Sequence, residues 1–267
     1  MLDLIHYINL DENLKQKVID LAHKDRVNIM SLADKCKNGN FSSLALKSDL
    51  TRLAVMIECL GYTFEKYRKY SIDEKIFSDT VDDIRIWCEN NGNKGLKNYN
   101  WIKNHISFEL FKIGRLQYQL VTIKNKLLKY DLLPFDYGEK VIYVHIPQGE
   151  KLSYSDCVQS LKCAKEFFEK HFPDYKYRFF FCESWLLYGD NQKFMMPQSN
   201  ILRFSSLFHI AYSIDADSQA IERIFGKRHI NKKKYKENTT LQKSAKKHLM
   251  NGGKLGIGIG FIDKGSV

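Results

Sequence analysis

The segment from residue 141 to residue 184, VIYVHIPQGEKLSYSDCVQSLKCAKEFFEKHFPDYKYRFFFCES, carries the strongest fold signal in the chain. Its first residues, VIYVHIP, alternate and are rich in β-branched and aromatic side chains, which is typical of a strand. A helix is predicted next, opened by Ser153 with Asp156 three residues later and stopped near Pro173. The segment YKYRFFFCES then predicts a second strand. Strands that alternate with helices indicate a mixed α/β domain.

The residues before this segment favour helices. The stretch DENLKQKVIDLAHKD begins with Asp11 as a cap and then repeats apolar residues at the spacing of one helix face. Residues 71–92 predict one further helix, in which Ser71 and Glu74 have the spacing of a capping box. From about Leu110 the period changes, and IGRLQYQLVTI is typical of a strand. The first half of the chain is therefore predicted to be all-helical.

The residues after the segment continue the alternation. FHIAYSID predicts a strand, and DSQAIERIFG predicts a helix that ends at Gly226. The predicted fold class is α/β (α+β), with an all-helical domain over residues 1–108 and a mixed α/β domain over residues 109–267.

The chain ends in a glycine-rich tail, MNGGKLGIGIGFIDKGSV, which resembles a phosphate-binding loop in composition alone. A phosphate-binding glycine loop leads from a strand into the N-terminus of a helix. Here the order is reversed, because the predicted helix TLQKSAKKHLM precedes the glycines. We therefore interpret Asn251, Gly252 and Gly253 as a helix stop, and KLGIGIGFI as a closing strand whose glycines allow close backbone approach.

Charge is concentrated near the C-terminus. The chain has a formal net charge of +11, and residues 227–254 contain ten Lys or Arg against Glu237 alone. Such a patch could attract an acidic partner or nucleic acid. No nucleic-acid motif accompanies it, so a solvated surface segment is the favoured interpretation and nucleic acid is not the expected partner.

Cysteine usage and hydropathy suggest the compartment. The six cysteines form no CxxC pair, which fits reduced thiols in the cytoplasm and gives no metal site. No run of about 18 apolar residues is present, and the start has no signal-peptide pattern, so neither a membrane span nor secretion is expected.

Several strings in the second half resemble one known family. They are FKIGRLQYQL, the segment quoted first, QSNILRFSSLF and NTTLQKSAKKHLMNGGKLGIGIGFI, in the family's order and spacing. The chain resembles predicted bacterial acyltransferases that have a helical N-acyltransferase N-terminal domain followed by a GNAT-like C-terminal domain. The resemblance implies a twisted mixed sheet with flanking helices, splayed where an acyl-CoA would sit.

The resemblance implies transfer of an acyl group from acyl-CoA or acetyl-CoA to a small-molecule amine. In that superfamily the coenzyme phosphates contact backbone N–H groups between the fourth strand and the next helix, where the helix dipole favours anions. That segment is HIPQGEKLSYSD here. The implied coenzyme-binding residues are Ile146, Gln148, Gly149, Lys151 and Ser153. The segment departs from the superfamily signature because it has a single glycine, and because Glu150 and Asp156 would repel phosphate.

Catalytic candidates are few. His145 is placed on the same strand face as Val141 and Tyr143, where it could accept a proton from an amine, although a structural histidine is the favoured interpretation. Tyr188 or Tyr212 could protonate the departing thiolate. Ser184 is a third catalytic candidate, because it ends a strand where ligands bind in open sheets.

Trp185, Ser199 and Asn200 are candidates for contacts with substrate. A cap of the following helix is the favoured role of Ser199 or Asn200, and the two roles can coexist. Cys182 is expected to be a buried thiol rather than a nucleophile. Because the coenzyme segment is unusual, the alternative to an acyltransferase is a non-catalytic ligand-binding or interaction module with the same fold.

Overall fold

The structure is a computed structural model, and it describes residues 2–267. The chain divides into two compact units. Unit 1 comprises the residues up to 120 together with 145–150 and 167–173, and unit 2 comprises residues 121–144, 151–166 and 174–267. The fold is a helical N-terminal region followed by a mixed sheet with flanking helices.

Unit 1 is mainly helical. Its helices are α1 (Glu12–Lys24), α2 (Arg26–Lys37), α3 (Asp49–Lys69), α4 (Glu74–Val81), α5 (Asp83–Asn90) and α6 (Tyr99–Ile106). The long helix α3 is capped by the Ser48 side chain, which accepts a hydrogen bond from the Thr51 amide. Its residues Leu53, Leu60 and Tyr67 recur every seven positions and are fully buried, so α3 forms the central stripe of the unit 1 core.

An antiparallel hairpin follows these helices. Strand β1 (Leu110–Ile113) pairs with β2 (Leu116–Thr122) in the register Leu110↔Gln119 to Ile113↔Leu116. Gly114 turns the chain with φ of 62°, a conformation that favours glycine. The stretch IGRLQYQLVTI was predicted to be a single strand. It instead contains the end of β1, the turn at Gly114 and the strand β2, which begins at Leu116.

Unit 2 contains the mixed sheet. Its elements are β3 (Lys140–His145, without its last residue), most of α7 (Tyr154–His171), β4 (Phe179–Ser184), α8 (Asn200–Ser205), β5 (His209–Ile214), α9 (Ser218–Phe225), α10 (Thr240–Met250) and β6 (Ile257–Asp263). Strand β4 runs parallel to β3 and antiparallel to β6, and β6 runs antiparallel to β5. One face of this sheet packs under the loop of residues 123–135, and α9 and α10 pack together in a separate apolar cluster.

Two local sequence predictions have clear outcomes. The predicted single helix over residues 71–92 is wrong, because α4 ends at Val81 and α5 begins at Asp83. The Ser71 capping box is also wrong: Ser71 has a φ of 52°, and the Asp73 side chain caps α4 by accepting from the Lys75 amide.

The glycine-rich tail is confirmed as a helix stop and a closing strand. Helix α10 ends at Met250, and Gly252 follows with a φ of 84°. Strand β6 then pairs with both β4 and β5. A Cβ at Gly258 would lie 2.0 Å from the Leu187 carbonyl oxygen, so this glycine lets another backbone approach closely.

Candidate active site

His145, the predicted base, is the last residue of β3 and is partly buried in unit 1. Its Nε2 atom lies 2.9 Å from the Gln119 Oε1 atom on β2. The indole ring of Trp101 packs edge-on against the imidazole, with 4.9 Å between ring centroids and an interplanar angle of 76°. The amide and the indole together fix the orientation of the imidazole ring.

Asp83 lies at the centre of a polar cluster next to this histidine. Its Oδ2 atom accepts hydrogen bonds from the indole N–H groups of Trp101, at 2.7 Å, and Trp87, at 3.3 Å. The His105 Nε2 atom lies 3.2 Å from the same oxygen. Asp83 and His105 are buried, and their helices, α5 and α6, meet at this carboxylate.

The electrostatics of the cluster have two opposite effects on protonation. Burial opposes the charge of Asp83, but its contacts with His105 and the donors around it outweigh burial and lower the pKa of this carboxyl. Burial lowers the pKa of His145 to about 3, His105 lowers it further, and the Asp83 charge opposes the change. At neutral pH the His145 imidazole is therefore neutral, and its burial opposes protonation of the ring.

Replacing Asp83 by Asn is expected to lower the free energy of unfolding at neutral pH by about 3 kcal/mol, because a charged acceptor in a buried cluster is lost. The folded-state pKa of Asp83 is below its unfolded value, so its contribution is present above that unfolded value, about 4, and disappears as the pH falls through the folded pKa. The difference between D83N and wild type should therefore shrink in acid.

Urea denaturation at neutral and acidic pH measures this difference. Asp79→Asn is the matched control, because Asp79 pairs with Lys75 on the exposed side of α4 and such pairs contribute about 1 kcal/mol or less. A D83N protein no less stable than D79N would contradict the central role of the Asp83 carboxylate.

The loop after β3 holds three of the predicted coenzyme-binding residues, Ile146, Gln148 and Gly149. Ile146 is partly buried, the Gln148 Oε1 atom accepts from Asn90 at 3.0 Å, and Gly149 has a φ of 113°. No described atom lies within 4 Å of the position that a Cβ would take at Gly149, so its backbone is open on that side.

Arg115 and Lys112 hold this loop on the β1–β2 hairpin. The Arg115 guanidinium donates to the carbonyl oxygens of Pro147 at 3.1 Å and Glu150 at 2.7 Å. Lys112 binds the Glu150 carboxylate at 2.7 Å and thereby lowers its pKa. The negative charge that argued against phosphate in the sequence is thus compensated by a lysine.

The other two predicted coenzyme-binding residues, Lys151 and Ser153, lie in unit 2 just before α7. The Ser153 amide donates to the Lys151 carbonyl oxygen at 3.0 Å, and the Ser153 carbonyl accepts from Cys157 in the first turn of α7. The helix therefore begins where the sequence predicted it.

In unit 2, the ladder between strands β3 and β4 is short. Their recorded pairing stops at Tyr143↔Phe181, whereas β4 continues beside β6 as far as Ser184. Beyond that point, the Tyr143 hydroxyl donates to the Glu183 carbonyl oxygen at 3.1 Å. A tyrosine hydroxyl thus contacts β4 beyond the end of the ladder.

The remaining predicted residues at the end of β4 have structural contacts. The Ser184 hydroxyl is buried and accepts from the Leu186 amide at 3.2 Å. The Trp185 amide donates to Gln219 Oε1, and its ring packs on the α9–α10 cluster. Their predicted roles in catalysis and substrate contact stay predictions.

The capping interpretation at α8 is confirmed for Ser199, whose hydroxyl accepts from the Leu202 amide at 3.3 Å. Asn200 is the first residue of that helix and is partly buried. Cys182 is confirmed as a buried thiol, and burial raises its pKa.

The two candidate acids differ in their hydrogen bonds. The Tyr188 hydroxyl donates to Asp215 at 2.7 Å, and burial and this bond raise its pKa. Asp215 also pairs with Lys254 at 2.5 Å. The Tyr212 hydroxyl accepts from the Lys129 amide at 2.9 Å, which leaves its proton available for donation.

Sequence reasoning missed Asp83, Trp101 and Glu183. A signal existed for the first, because Asp83 falls four residues before Trp87 on a helix whose neighbouring residues Ile84 and Cys88 are apolar. No local pattern joins α5 to α6, so the shared carboxylate was not predictable.

Much of the basic segment is engaged within unit 2. Lys232 and Lys246 donate to backbone carbonyl oxygens of Leu249, at 2.8 Å, and Tyr235, at 2.9 Å. The predicted acidic partner for residues 227–254 stays untested. Over residues 2–267, no group of three His, Cys, Asp or Glu side chains is arranged to hold a metal ion, and none of the helices described there has the length and apolarity to cross a membrane.

The chain is similar to solved acyltransferase structures. An acyltransferase mutant in complex with octanoyl-CoA matches with a TM-score of 0.79 and 18% identity, over 98% of this chain and 86% of that one. An acyltransferase in complex with decanoyl-CoA and teicoplanin matches equally, with the same coverage. A third, in complex with decanoyl-CoA, has a TM-score of 0.69 and 23% identity, over 79% of this chain and 65% of that one. At these identities the likeness shows the fold.

Family models match almost the whole chain, whereas a search of curated proteins found no match. The N-acyltransferase N-terminal domain matches residues 2–108, and the GNAT-like C-terminal domain matches residues 110–262, more than half of the chain. The chain therefore belongs to the family that joins an N-acyltransferase N-terminal domain to a GNAT-like C-terminal domain.

Proposed function

We propose that the protein is an acyltransferase that moves an acyl group from acyl-CoA to an amine, with His145 as the general base. The observation that carries the proposal is the neutral imidazole at the end of β3, oriented by Gln119 and Trp101. Membership of the family supports it, as do neighbours of the same fold that were crystallised with acyl-CoA.

The chemistry follows from the hydrogen bond of the imidazole. The Gln119 Oε1 atom only accepts, so in this hydrogen bond the His145 Nε2 atom carries the ring proton. The amine nitrogen attacks the thioester carbonyl carbon, a C–N bond forms, and His145 accepts the amine proton. The C–S bond then breaks, and the coenzyme thiolate leaves and takes up a proton from solvent.

The coenzyme is proposed to contact the segment of residues 146–153. Two features support a fit: the Gly149 backbone is open on its Cβ side, and the Glu150 charge is compensated by Lys112. Lys151 supplies a positive charge at the start of α7, where backbone N–H groups and the helix dipole favour an anion.

Calorimetric titration with CoA and decanoyl-CoA tests the proposal. We expect dissociation constants on the order of micromolar. Lys151→Gln should weaken binding about three- to tenfold, because a charge-assisted contact with phosphate is lost. Lys162→Gln, an exposed lysine on α7, is the matched control and should leave the affinity unchanged.

Turnover is measured as release of free thiol from decanoyl-CoA in the presence of primary amines. Absence of CoA binding at millimolar ligand would overturn the acyltransferase proposal and favour the alternative, a non-catalytic module with this fold. CoA binding that is equal in the Lys151→Gln and Lys162→Gln proteins would place the coenzyme elsewhere.

A further inference from the structure

Glu183 is a carboxylate without a compensating charge. Side chains alternate along β4, so Glu183 shares the sheet face of Phe179 and Phe181, which are buried in an apolar cluster. Over residues 2–267 its carboxylate oxygens have no hydrogen-bond or ion-pair partner. Burial alone raises the pKa of this carboxyl. An unpartnered charge on an apolar face is costly, which points to a role other than stability.

Two tyrosines share the sheet face of Glu183, because Glu183 and Tyr212 both pair with Ile259 of β6, and Tyr143 pairs with Phe181. Tyr143 on β3 and Tyr212 on β5 both pack against the same apolar cluster. Burial is the main cause that raises the pKa of each hydroxyl, and the negative charge of Glu183 contributes to both. Their hydroxyls already bond to backbone groups of Glu183 and Lys129, so their contribution to a ligand is the aromatic ring.

An ammonium group already rests on one of these rings. The Lys129 Nζ atom lies 5.5 Å from the centroid of the Tyr212 ring, within the range of a cation–π contact. Lys129 is exposed and belongs to the loop that covers this sheet face. The Lys129 side chain shows that the Tyr212 ring attracts an ammonium group. Because Lys129 is exposed, a ligand ammonium can replace it on this ring.

We propose that Glu183, Tyr143 and Tyr212 form a subsite for the acceptor, which binds a primary ammonium group carried on an apolar or aromatic body. The proposal rests on the acyltransferase function and specifies its acceptor class. The Glu183 carboxylate pairs with the ammonium, and the tyrosine rings flank it and contact the apolar body of the ligand.

The experiment uses phenethylammonium as the probe and 2-phenylethanol as its uncharged match, each titrated into the full-length protein at neutral pH. Glu183→Gln is expected to weaken phenethylammonium binding at least about tenfold, because a charge-assisted contact is lost. Binding of 2-phenylethanol should be weaker than that of the amine and unchanged by the substitution. Tyr212→Leu should weaken the amine about threefold or more through loss of a ring.

Glu222→Gln is the matched control, since Glu222 is an exposed carboxylate of unit 2 and its loss changes the net charge equally. Its affinity for the amine should equal that of wild type. Equal amine affinity in the E183Q and E222Q proteins would overturn the subsite. So would alcohol binding as tight as that of the amine, or no saturable amine binding to wild type.

Two further measurements separate this proposal from its foundation. Decanoyl-CoA should bind the E183Q protein as tightly as it binds wild type. If decanoyl-CoA binds neither protein, the acyltransferase proposal fails. If it binds both but the amine affinity is unchanged in E183Q, the subsite proposal alone fails. Thermal unfolding should show E183Q at least as stable as wild type at neutral pH, because the raised pKa means that folding disfavours the charged carboxylate. A marked loss of stability would identify Glu183 as a structural residue and overturn the subsite.

Discussion

Replacing His145 by Gln should lower kcat for acyl transfer by about 10²–10⁴-fold, the range that a positioned general base contributes. Glutamine keeps a hydrogen-bonding group near Gln119 but cannot take a proton from the amine. The KM for acyl-CoA should change little, since the coenzyme is proposed to contact residues 146–153 rather than the imidazole. Thiol release under single-turnover conditions measures the chemical step directly.

His23→Gln is the matched control for this experiment, because His23 is an exposed histidine on α1. The control should retain the wild-type kcat. A folded H145Q protein with wild-type kcat would contradict the assignment of His145 as the base and leave it as a structural histidine, the interpretation that the sequence had left open.

Replacing Gly258 by Ala should destabilise the protein by at least about 3 kcal/mol. The added Cβ would lie 2.0 Å from the Leu187 carbonyl oxygen and 2.3 Å from its carbon. Both atoms are backbone, so neither can move aside as a flexible side chain would. Strand β6 pairs with β4 and β5, and a shift of β6 would therefore disturb both ladders.

Gly61→Ala is the matched control, and it is expected to raise the stability of the protein rather than lower it. Gly61 lies exposed in α3, and a Cβ there would meet no described atom within 4 Å, so alanine should stabilise the chain by about 0.5–1 kcal/mol. Chemical denaturation of both variants gives the two values. Equal stability of G258A and wild type would show that β6 does not need the close approach.

The fold was largely predictable because its signals are local. The caps at Asp11 and Ser199, the stop at Gly226 and the closing strand all follow from residues within a few positions of one another. The predicted start of the helix over residues 71–92 was wrong for the same reason. Ser71 and Glu74 match a short capping pattern that the backbone at Ser71 does not use.

The site was predictable only in part. His145 and the loop after it came from the resemblance and from strand alternation. The contacts of Asp83 with Trp101, and of the Glu183 carbonyl oxygen with Tyr143, join residues distant in sequence, and the pKa shifts of both carboxyls depend on burial and on these surroundings. Such effects depend on the tertiary structure, which no short motif encodes.

The glycines of β6 affect how glycine conservation in a sequence alignment is interpreted. A glycine kept because a neighbouring carbonyl leaves no room for a Cβ produces the same pattern of invariance among relatives as a glycine kept for phosphate. Profile methods that score glycine spacing alone would therefore count this tail as evidence for nucleotide binding. The space around each absent Cβ distinguishes the two origins, and at Gly258 that space is filled by the chain itself.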